Sequence, residues 1–76
     1  MNRQRRDIIK SARGHLNEAQ QLVEMAYNEE SDALDSMPES LEGTKRYEKM
    51  EMTVDLLEDV SSLIDEAIEK IDEALE

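Results

Sequence analysis

The stretch SMPESLEGTKRYEKM, residues 36–50, decides the fold because it holds the only proline and one of the two glycines of the chain. Residues before a proline avoid the helical region, so Pro38 prevents a helix from continuing through residue 37. Gly43 can take the left-handed conformation that ends a helical turn, and Thr44 can cap a following helix. The stretch therefore predicts a short helical turn between two helices, built on Pro38, Leu41, Gly43, Thr44 and Tyr47.

After the turn, apolar residues recur at alternating steps of three and four positions. This is the heptad spacing with which one helix packs against another, and Ser61 is its one interruption. Acidic residues occupy the positions between and form a solvated face. The spacing predicts a helix from about residue 45 to about residue 75. Its repeating positions are Tyr47, Met50, Val54, Leu57, Ser61, Ile64, Ile68, Ile71 and Leu75.

Before the turn, the same spacing recurs with alanine at every second position, and it predicts a helix from about residue 3 to about residue 35. Small residues on one edge of the seam would let the two helix axes approach closely. Two helices of ~45–50 Å joined by a short link form an antiparallel hairpin. The predicted fold is therefore an all-α hairpin, one domain over residues 1–76. The predicted seam comprises Ile9, Ala12, Leu16, Ala19, Val23, Ala26, Glu30, Ala33 and Met37.

The charge distribution agrees with that orientation. Residues 1–13 carry five basic residues and one acid, whereas the whole chain has a net charge of −11. An antiparallel hairpin sets residues 3–13 beside the acidic residues 65–76, so the basic segment is interpreted as neutralising that end. Its small apolar face and lack of aromatics argue against membrane binding, and the overall charge argues against direct nucleic-acid binding.

The composition also limits the function. The chain has no cysteine, so neither a disulfide framework nor a zinc–thiolate site is expected. No apolar run has the length of a membrane span or a signal-peptide core, which makes a cytoplasmic protein the default expectation. No nucleophile–base arrangement, phosphate-binding glycine loop or calcium-binding loop is visible, so we expect neither an enzyme nor a cofactor.

The single histidine, His15, is followed three residues later by Glu18. A His and a carboxylate at this spacing could share a metal inside a bundle of several helices. Because no second histidine exists, we interpret His15 as a residue at the edge of the seam, and we predict no metal site.

A second apolar strip adjoins the seam of the C-terminal helix, and further apolar residues (Ile8, Leu22 and Met25) lie off the seam of the first helix. A monomeric hairpin would leave this strip in water, and chains this small often complete their core by oligomerising. We therefore predict a homodimer that closes a four-helix bundle, while a tetramer would fit nearly as well. The predicted self-association residues are Met52, Leu56, Val60, Leu63 and Ala67.

The stretch PESLEGTKRYEKME, residues 38–51, resembles a group of short, uncharacterised proteins of Gram-positive bacteria and their prophages. The shared pattern is P-E-x-L-x-G-[ST]-x-x-Y-x-x-M, followed by a helix of acidic and aliphatic repeats. The resemblance covers roughly the C-terminal half and implies a helical hairpin and a phage or mobile-element origin, but no established activity. The matching positions are Pro38, Glu39, Leu41, Gly43, Thr44, Tyr47 and Met50.

Two functions remain open from the sequence. The first is a small, self-associating interaction or structural protein. The second is an acidic inhibitor whose rows of carboxylates mimic the phosphate backbone and occupy the groove of a nucleic-acid-binding protein. The predicted turn leaves the charged side chains of Glu39, Glu42, Lys45 and Arg46 without a structural task, so a partner-binding tip would lie there.

Overall fold

The computed structural model describes residues 1–76 as two helices joined by a short turn. Helix α1 spans Arg3–Asp35 and helix α2 spans Lys45–Leu75, with one 3₁₀ turn at Glu39–Leu41 between them. The two helices pack antiparallel along their length and form a rod of 59 × 15 × 15 Å. The predicted all-α hairpin is confirmed, and the observed helix boundaries agree with the predicted ones.

Each helix begins at a residue whose side chain satisfies an otherwise unpaired backbone N–H group. The side-chain oxygen of Asn2 accepts from the backbone N–H of Arg5 at 2.9 Å. The hydroxyl of Thr44 accepts from the backbone N–H of Tyr47 at 3.2 Å and donates to the Leu41 carbonyl at 2.7 Å. These caps fix where the two helices start.

The connection between the helices is a sequence of well-defined backbone conformations. Pro38 is extended, with φ −60° and ψ 145°, and the chain then forms the 3₁₀ turn. Gly43 has a φ of 80° and is the only residue of the chain with positive φ. An L-residue with a Cβ atom is disfavoured in this conformation. The turn thus reverses the chain between a proline that ends one helix and a glycine that precedes the next.

The seam between the helices is half-buried at all nine positions predicted for α2. In α1 the prediction is partly wrong, because Ala26 and Ala33 are exposed and their neighbours Tyr27 and Leu34 are half-buried instead. Tyr27 and Leu34 remove more apolar area from water than alanine does, so the second half of α1 turns its larger side chains toward α2. Ala26 and Ala33 consequently lie on a flank of the hairpin, outside the seam.

The burial within one hairpin is shallow. No apolar residue is fully buried, and Gln20 is the only buried residue of the chain. The accessible surface is 5949 Å² for 8.8 kDa, whereas a compact monomer of this mass exposes about 4800 Å². A single copy therefore leaves an unusually large part of its surface in water.

We predict opposite effects of alanine at the two glycines. A Cβ atom would meet nothing within 4 Å at either position, so only backbone conformation differs between them. Gly43→Ala should lower stability by about 1 kcal/mol because of its positive φ. Gly14→Ala, in the middle of α1, should raise stability by about 1 kcal/mol.

The measurement is thermal unfolding followed by circular dichroism at one fixed protein concentration, since association would shift the melting temperature. A melting temperature that Gly43→Ala leaves unchanged, or that Gly14→Ala lowers, would contradict the role of these two positions.

Candidate interaction surface

The vertical alignment of the two helices is defined by side-chain contacts between them. The guanidinium of Arg6 donates to the Leu75 carbonyl. Arg13 donates to both carboxylate oxygens of Asp72, at 2.6 and 3.1 Å. Gln20 contacts residues 61 and 65 of α2. The same register along the rest of the rod places Ala19 approximately level with Leu63 along the rod axis. Ala26 is likewise approximately level with Leu56.

One side of the hairpin is polar. A cleft of about 290 Å³ opens there between the helices. Because residues of both helices line one cleft, these positions must face the same side of the rod. The lining residues are Glu24, Tyr27, Asn28, Glu58, Ser61 and Ser62.

The opposite side of the hairpin is apolar. Each helix has a flank on the side of the seam that faces away from the cleft. The residues of this flank recur every seven positions. In α1 this flank contains the four alanines, interrupted by His15 and Glu29, and in α2 it contains branched apolar side chains between Lys49 and Lys70. We call this surface the apolar face. It comprises Ile8, Ala12, Ala19, Leu22, Ala26 and Ala33 from α1, and Leu56, Val60, Leu63, Ala67 and Ala74 from α2.

Four of the five residues predicted for self-association lie on this apolar face. Leu56 and Leu63 are 56% and 63% exposed, Val60 is 39% exposed and Ala67 is half-buried. Met52 is 63% exposed and lies further round the back of α2, as Met25 does on α1. Leu22 of α1 is 66% exposed. The hairpin therefore brings four of the five predicted residues, all except Met52, to one side, where α1 also contributes apolar residues.

Gln20 is a buried polar position of the seam that the sequence reasoning missed. Its side-chain N–H₂ group donates to the Ser61 carbonyl at 2.9 Å and to the Asp65 carboxylate at 2.6 Å. Its side-chain oxygen is buried without a hydrogen-bond partner. A buried polar residue in an apolar seam favours one register over others, at a cost in stability. The only signal in the sequence is a glutamine beside the repeating alanines.

Arg13 and Asp72 form the one direct ion pair between the helices. The hydrogen bonds and the charge of Arg13 hold the pKa of Asp72 below its ordinary value of 3.8, and hydrogen bonding to Asp72 raises the pKa of Arg13. Both side chains are substantially exposed, so the pair selects the antiparallel orientation more than it stabilises the fold. The basic segment does lie beside the acidic end of α2.

The turn residues have mixed exposure. Tyr47 and Thr44 are half-buried, whereas Pro38, Gly43 and the charged residues of the turn are exposed. Leu41 is 41% exposed and covers the end of the seam incompletely. Partial burial, reinforced by the nearby carboxylates of Glu42, Glu51 and Asp35, raises the pKa of Tyr47. The phenol thus stays neutral at physiological pH.

The His15–Glu18 pair is highly exposed, with 3.9 Å between Nδ1 and the carboxylate. His15 lies on the flank of α1 that carries the apolar face, between Ala12 and Ala19. No group of three or more His, Cys, Asp or Glu side chains has an arrangement that could hold a metal ion. Neither α1 nor α2 contains an apolar stretch that could span a membrane.

Comparison with family models, with curated proteins and with solved structures finds no match to this chain. The resemblance to short prophage-type proteins therefore stays a prediction, and the surface of the hairpin itself is the basis for inferring a function.

We predict that Gln20→Glu destabilises the hairpin at neutral pH. The substitution removes two hydrogen bonds and places a carboxylate against Asp65 in a part-buried seam, which should cost about 2 kcal/mol. Gln21→Glu is the matched control, since it makes the same change on an exposed neighbour. Urea unfolding at pH 7 measures both variants. Equal urea midpoints for the Gln20→Glu and Gln21→Glu variants would show that the Gln20 contacts do not hold the helices together.

Proposed function

We propose that this chain is a self-associating helical-hairpin protein, with an interaction or structural role, whose copies pack through the apolar face to close a four-helix bundle. The observation that carries the proposal is the apolar face itself: both helices place apolar side chains on one side of the hairpin, opposite the polar cleft. A face of this kind on a small chain is typical of an interface.

The magnitude of the exposed area supports the same proposal. One copy exposes about 1100 Å² more than a compact monomer of its mass. A standard interface buries about 800 Å² of each partner, so pairing through one face would remove most of this excess. A dimer is favoured because the hairpin has one apolar side and one polar side, and a tetramer would need a second interface.

The setting of the protein is also a proposal. A cytoplasmic location fits the cysteine-free, highly charged composition. A phage or mobile-element origin is supported by the turn pattern of residues 38–51. The location and the origin of the protein do not affect how its copies associate.

We predict that Leu63→Glu dissociates the oligomer. A symmetric dimer buries this leucine twice, and losing both burials removes about 3 kcal/mol or more, a factor of at least ~100 in the dissociation constant. Ser62→Glu adds the same charge one residue away, on the polar side, and should leave the association intact. Sedimentation equilibrium at micromolar concentration measures the masses. A wild-type mass of 8.8 kDa, or an unchanged mass for Leu63→Glu, would overturn the proposal.

A second function is favoured by one observation: the polar side of the rod carries carboxylates from both helices, including Glu24 and Glu58 at the cleft. A straight acidic rod of 59 Å could occupy the groove of a basic nucleic-acid-binding protein in place of a phosphate backbone. The two functions are compatible, because association through the apolar face leaves the acidic side in water.

The salt dependence of a pull-down from host lysate distinguishes the two functions. Mimicry predicts capture of a basic nucleic-acid-binding protein at low salt, loss of that protein as salt rises, and competition by duplex DNA. Leu63→Glu should not reduce such capture, since the acidic side is unchanged. Capture that resists salt, or no captured protein at all, would contradict mimicry.

A further inference from the structure

We draw no further inference here: the strongest candidate, the polar cleft between α1 and α2, carries none, because its carboxylates form an acidic cluster for which nothing in the structure indicates a ligand, and the one buried side-chain polar atom without a hydrogen-bond partner, the side-chain oxygen of Gln20, does not line it.

Discussion

The packing of α1 against α2 along a single seam is the interaction on which every other feature of this protein depends. Two helices can cover each other on one side only, so each apolar seam residue remains partly in water and none is fully buried. The antiparallel orientation comes from the short turn, and the contacts of Arg13 and Gln20 with α2 set the vertical register. The helical repeat then determines which residues form each flank of the hairpin. The position of a residue relative to the seam in that repeat fixes the side of the rod on which it lies.

The two flanks have opposite chemical character, and this difference connects the fold to its proposed role. Carboxylates, serines and Asn28 line the cleft on one side, while alanines and leucines occupy the other. An isolated chain keeps its polar side solvated at little cost. Its apolar side is unfavourable in free energy, since branched side chains such as Leu63 stay in contact with water. A second copy would cover that side and leave the acidic side free for other contacts.

Gln20 shows how specificity and stability differ in this hairpin. An aliphatic residue in its place would bury more apolar area, but it would not distinguish one position along α2 from the next. The amide of Gln20 can reach the Ser61 carbonyl and Asp65 only in the observed register. The unpartnered side-chain oxygen of Gln20 indicates that this selectivity has an energetic cost. Ser61, the interruption of the α2 seam, lies at the same level, so the two polar positions coincide.

The sequence alone determined the helices, their ends and the reversal between them, because these depend on local chemistry. Pro38, Gly43 and Thr44 act through the conformations that each residue can adopt, and the α2 seam is a strict repeat of large side chains. The α1 seam was predicted less well. Alanine fits both a close-packed seam and a half-covered flank, so its repeat could not indicate which side of α1 faces α2. Only the tertiary structure decided that Tyr27 and Leu34 enter the seam, that Gln20 is buried, and that the alanines of α1 join Leu56 and Leu63 on one face. Those outcomes depend on which side chains compete best for contact with the second helix. A local sequence pattern carries no information about that competition.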